Sequence, residues 1–155
     1  MAKEVKTQAK ISVGVDILWK ALTKDLKFII PKMIPNLVKE AQVIEGDGGL
    51  GSVFLFNFGP DIKTMTYQKE QITELDESLH RFALKVIEGG HLNLGFTYYS
   101  TLFQLTATGK EESLIDVTVE YESEIEDDTL PSKTRSSMLA YINCLETYLA
   151  NSPAH

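Results

Sequence analysis

"IEGDGGLGSVFLFNF", residues 44–58, decides how this chain is read. Gly46, Gly48, Gly49 and Gly51 suggest a loop that cradles phosphate. Such a loop needs a helix after it, because the free N–H groups of a helix N-terminus must face the anion. A nucleoside triphosphate also requires Lys and Ser/Thr after the last glycine. Here Gly51 is followed by "SVFLFNF", which alternates as a strand does, with Phe54, Phe56 and Phe58 on one face. No lysine follows, and Glu45 and Asp47 put negative charge where phosphate would sit. The stretch therefore reads as a glycine-rich hairpin, in which glycine supplies positive φ.

Outward from that hairpin the texture stays strand, turn, strand. Strands are expected near 39–45, 52–58, 63–75, 79–88, 95–107 and 112–123. Turn signals part them: the glycine loop, "GPD" at 59–61, "DES" at 76–78, "GG" at 89–90 and "TGKEE" at 108–112. Short links between consecutive strands indicate an antiparallel meander. Before it, residues 4–13 alternate cleanly, with Val5, Thr7, Ala9, Ile11 and Val13 on one face. "VDILWKAL" then changes period, so that Val15, Leu18, Trp19 and Leu22 share one side of a helix. A second short helix spans about Leu26 to Ile34, shaped by Pro31 and stopped by Pro35. The chain ends in a long helix opened by Pro131, with Met138, Tyr141, Ile142, Leu145, Tyr148 and Leu149 recurring at three and four residues. The expectation is an α+β single ligand-binding domain over 1–155: a curved antiparallel sheet of about seven strands wrapped around the long helix. A sheet of that width on one helix leaves a cavity between them, a typical ligand pocket.

Composition narrows the function. The 155 residues carry a net charge of −7, with Lys and Arg scattered singly, so no nucleic-acid footprint is present. No stretch approaches the roughly 20 apolar residues of a membrane span. The polar start "MAKEVKTQAK" lacks the apolar core of a secretion signal, and the single Cys144 forms no internal disulfide. These point to a cytoplasmic address, the nucleus not excluded, and to no cofactor or metal. "EYESEIEDD" at 120–128 lacks the oxygen spacing of a calcium loop and reads as a solvated strand end.

"IEGDGGLGS" before a strand, "IPKMIPNLV" ahead of it and "VIEGG" at 86–90 resemble the pathogenesis-related class-10 family, typified by the major birch pollen allergen. The resemblance runs over nearly the whole chain. "FNF", "YQKEQITELDES" and "LAYINCLETYL" are most similar to its legume cytokinin-specific, or phytohormone-binding, group. The resemblance implies seven antiparallel strands gripping the C-terminal helix around a large apolar cavity that takes small hormones. It also implies a ligand role for Tyr141.

Alternation sorts each strand into wall and surface. Inward positions are Phe54, Phe56 and Phe58; Thr66, Gln68, Glu70 and Ile72; His80, Phe82, Leu84 and Val86; Tyr99, Thr101, Phe103 and Leu105; and Ile115, Val117, Val119 and Tyr121. Met138, Tyr141 and Leu145 face them from the helix. Gln68 both donates and accepts, and Glu70, an inward carboxyl with no inward Lys or Arg, holds its proton or meets a ligand donor. His80 reads as a strand end, and His91, after the Gly-Gly turn, as solvated. The leading expectation is a non-enzymatic carrier, buffer or sensor of cytokinin or gibberellin in plant defence, a monomer or weak dimer. Phe54, Phe56 and Leu145 would contact an isoprenoid chain and Gln68 and Glu70 the polar end. Three alternatives stand beside it. Family relatives condense amines with aldehydes using a buried lysine, which no inward strand position here supplies. Ribonuclease-like activity lacks paired histidines. A hormone-dependent protein-interaction module is the third.

Overall fold

The structure, a computed structural model, describes residues 2–151; residue 1 and residues 152–155 of the expected 1–155 span lie outside the described residues. Its elements run β1 (Lys3–Ile11), α1 (Val15–Leu22), α2 (Leu26–Met33), β2 (Val38–Glu45), β3 (Val53–Phe58), β4 (Tyr67–Asp76), β5 (Arg81–Gly89), β6 (Phe96–Gly109), β7 (Glu112–Ser123) and α3 (Leu130–Ala150). All seven strands form one antiparallel sheet in the order β1-β7-β6-β5-β4-β3-β2. The α+β fold expected from the alternation is the one observed.

Period-two patterning decides which side faces the helix. In β7, Ser113, Ile115, Val117, Val119 and Tyr121 are buried, while the residues between them are more exposed. In β1, Val5, Thr7 and Ile11 are buried against the same interior. Helix α1 buries Leu18, Trp19, Ala21 and Leu22, and α2 buries Leu26, Ile29 and Ile30. Helix α3 inserts Thr134, Met138, Ile142, Leu145 and Leu149. Its far end is tied to β1 where the Ser12 N–H donates to Glu146 Oε2 at 2.6 Å. No helix among the described residues is long and apolar enough to cross a membrane.

Two strand starts differ from the sequence expectation by two residues or more, and one turn takes a helical form. The strand expected over 63–75 begins at Tyr67, because residues 59–66 form a loop closed by Phe58 N–H donating to Thr66 O. The strand expected from 79 begins at Arg81. Asp76 accepts from the N–H groups of Ser78 and Leu79, each at 3.0 Å, and lengthens the turn through His80 at φ 53°. The Gly-Gly turn is a 3-10 turn over Gly90–Leu94.

The glycine loop leaves little for an anion. Gly48 N–H donates to Ser52 Oγ and Gly49 N–H to Asp47 Oδ1, both at 2.9 Å. Gly51 N–H donates to Ile72 O and Ser52 N–H to Gly49 O. These donors are used within the protein, and a strand follows instead of a helix. Saturable magnesium-dependent ATP binding is therefore expected to be absent, with equilibrium dialysis as the check. Binding that disappears in Gly48→Val would overturn this reading.

Candidate functional site

Between the sheet and α3, closed at one side by α1 and α2, lies a pocket of about 290 Å³. That is near the small end of the ~300–1,000 Å³ typical of ligand sites. The sheet wall comes mainly from β3 to β7: Phe56 and Phe58 from β3, Gln68 and Glu70 from β4, Phe82 and Leu84 from β5. Tyr99, Thr101 and Phe103 come from β6, and Val117 and Val119 from β7. Ser137, Met138 and Tyr141 descend from α3. A second pocket of about 550 Å³ adjoins the first. The two share Ile34, Phe58, His91, Tyr99, Ser137 and Tyr141, and the outer one reaches Lys133 and Cys144 on α3.

Of the twelve residues expected at the site, nine line the inner pocket: Gln68, Glu70, Tyr141, Phe56, Phe82, Tyr99, Thr101, Phe103 and Met138. Three lie elsewhere. Thr66 is exposed in the loop before β4, because the alternating pattern continues past the strand's true start. Phe54 and Leu145 are 2% and 1% exposed and belong to the packed core. Phe54 stacks on Phe56, with ring centroids 6.0 Å apart, so it supports the wall from beneath. Two further residues of the inward sorting do not line the pocket: His80, read as a strand end, lies in the turn before β5 and packs edge-on against Trp19, and Tyr121 is inward but fully buried beside Phe96.

The residue that local patterning misplaced is His91. It is not solvated. The 3-10 turn folds it back over β4, where its N–H donates to Gln68 Oε1 at 3.0 Å and its Nδ1 lies 2.8 Å from the same oxygen. Its ring stacks on Tyr99 at 3.9 Å and meets Phe96 edge-on. The "IEGG" motif makes this contact possible: a Cβ on Gly90 would overlap Gln68 Oε1. The Gln68 carbonyl is consequently engaged twice from within the protein, and its amide positions neighbours instead of standing free.

The electrostatics follow from burial. Glu70 is half-buried in an apolar wall, and desolvation pushes its carboxyl up to about 7, opposed by a hydrogen bond from Gln68. Desolvation lowers the His91 imidazole to about 4, so it is neutral near pH 7. Burial, with the Glu70 charge adding to it, raises Tyr99 to about 12 and Tyr141 further. No lysine or arginine lines the inner pocket among the described residues. The site thus offers a carboxyl able to take or give a proton near neutrality, two neutral phenols and an aromatic wall. No group of three or more His, Cys, Asp or Glu among the described residues is arranged to hold a metal ion.

The comparisons agree with this architecture. The chain is 31% identical to norbelladine synthase from Narcissus pseudonarcissus over 123 residues, 79% of this chain and 76% of that protein. It is 29% identical to the major allergen Pru av 1 of Prunus avium over 141 residues, 88% and 86% of the two chains. Alignments with further relatives span 57–59% of their lengths. The structure of truncated norcoclaurine synthase from Thalictrum flavum superposes with a TM-score of 0.82 at 24% identity, covering 98% of this chain and 96% of that one, and so shares the fold. The family match itself runs over residues 1–152. The chain belongs to the pathogenesis-related protein Bet v 1 family, which binds hydrophobic ligands.

Proposed function

We propose that the chain binds a small plant hormone of the cytokinin or gibberellin class in the inner pocket, as a carrier, buffer or sensor in the cytoplasm, and does not transform it. One observation supports this most: an apolar, aromatic pocket carries one half-buried carboxyl, Glu70, flanked by the neutral polar groups of Gln68, Tyr99 and Tyr141. Apolar walls with a few placed polar groups suit a neutral or weakly charged ring compound. Phe56, Phe82 and Phe103 would hold its apolar body, and Glu70 its polar end. A monomer or weak dimer suffices, since the pocket is built within one chain.

A second reading is enzymatic. A relative is named a synthase, and a carboxyl titrating near neutrality suits general acid–base work. Against amine–aldehyde condensation through a buried lysine stands the absence of any lysine lining the inner pocket among the described residues. Calorimetric titration against a hormone panel, with native mass spectrometry for stoichiometry, separates the readings. Saturable micromolar binding, about −8 kcal/mol, is expected for at least one cytokinin or gibberellin. No binding by any hormone, together with turnover of an amine–aldehyde pair, would replace the first reading by the second.

A further inference from the structure

The contact between His91 and Gln68 fixes more than a loop. A backbone N–H can only donate, so the Gln68 atom 3.0 Å from His91 N is the carbonyl oxygen. That oxygen only accepts, so the ring nitrogen 2.8 Å away, Nδ1, must carry the hydrogen. In a neutral imidazole the other nitrogen, Nε2, is then a bare acceptor. No other described group hydrogen-bonds the ring. The ring is held flat against Tyr99, edge-on to Phe96, and lines both the inner and the outer pocket.

We propose that His91 Nε2 is a fixed hydrogen-bond acceptor at the junction of the two pockets, and that it selects ring compounds carrying an N–H or O–H donor over those lacking one. The inference rests on the reading of the pocket as a ligand site and names the chemistry that the site prefers. Burial strengthens the selection, because the imidazole stays neutral and does not become a donor across the neutral range. A ligand that presented only acceptors or a methyl group here would leave Nε2 unsatisfied once water is displaced. Adenine-type cytokinins, which carry N–H donors on a planar ring, meet the requirement. Within the hormone reading, the inference therefore ranks them above analogues methylated at those nitrogens.

The test uses indole and 1-methylindole, a ring N–H donor and its blocked counterpart, so that it does not depend on which hormone is native. Indole is expected to bind the full chain about tenfold more tightly than 1-methylindole. In His91→Phe, which keeps a ring against Tyr99, the ratio should fall to about one. A steric effect of the methyl group would survive in the variant, so an unchanged ratio overturns the proposal. Nitrogen-15 NMR of the wild-type histidines gives an independent reading should the variant not fold. Expected is an unprotonated Nε2 whose resonance moves on adding indole; a protonated Nε2, or one that does not respond, overturns it. If every hormone fails to bind while the indole preference and the NMR response hold, the hormone reading falls and the acceptor stands.

Discussion

Gly90→Ala is expected to lower the unfolding temperature by about 10 °C, and Gly48→Ala by only about 3 °C, although both glycines sit at positive φ. The backbone term is shared: an L-residue in the left-handed region costs about 1–2 kcal/mol. What differs is the space. A Cβ at Gly48 meets nothing within 4 Å. A Cβ at Gly90 overlaps Gln68 Oε1 and also crowds the Gln68 Cδ and Cβ. Gln68 is 6% exposed and wedged under the 3-10 turn, and its carbonyl is held there by His91, so swinging its amide toward the pocket gives up that anchorage. Either the turn lifts or the amide rotates, and in both cases the two bonds from His91 to Oε1 are lost in a buried place. Overpacking of about 1–3 kcal/mol and the lost bonds add to the backbone term, giving roughly 3 kcal/mol or more in total. Thermal unfolding of the two variants beside wild type is the measurement. Equal losses would mean that the turn carries no packing constraint and that the contact with Gln68 is dispensable.

The same contact shows why the sheet is legible in the sequence and part of the site is not. Strand faces follow from a period of two, a property of each segment alone, so alternation by itself puts Phe56, Gln68, Glu70, Phe82 and Phe103 on the inward face. Where a strand starts is a matter of pairing. Thr66 has the right parity but no ladder, since its segment closes a loop on Phe58 instead. Whether an inward residue meets a cavity or a neighbour depends on how far the curved sheet stands from α3. Alternation says nothing of that distance, and Phe54 and Leu145 accordingly fall on the packed side. His91 is least legible. Its burial comes from two glycines at positive φ that turn the chain back onto β4, a tertiary event that leaves only "GG" in the sequence. The one available signal is Gln68, a buried amide that needs a partner.

Glu70 should make ligand choice depend on pH, with opposite signs for the two hormone classes. Its carboxyl, raised to about 7 by desolvation, is half protonated near neutrality, while Tyr99 and Tyr141 remain phenols and His91 remains neutral. In the unfolded chain the group titrates near 4.5. Between these values the folded state holds a proton that the unfolded chain has lost, so stability falls as pH rises through the window, by at most about 3 kcal/mol. Glu70→Gln should remove that slope. For an acidic gibberellin, the protonated carboxyl donates to the ligand carboxylate, whereas the ionised form repels it. Affinity should therefore rise as pH falls from about 8 to about 6, by up to about tenfold per unit where Glu70 is mostly ionised. Glu70→Gln retains an N–H donor at all pH values and should hold the acidic ligand as the protonated wild type does, without the pH dependence. A neutral cytokinin that donates N–H to the site favours the ionised form, so its affinity should rise with pH and fall in Glu70→Gln. Glu70→Ala should weaken either class by about 1–3 kcal/mol, because a buried ligand group loses its partner. An apolar dye in the same pocket should be indifferent to all of these changes. Titrations of both hormone classes into wild type and the two variants across this range give the answer. A flat profile for the acidic hormone in wild type, or unaltered affinities in Glu70→Ala, would show that the carboxyl faces the pocket without contacting what binds there.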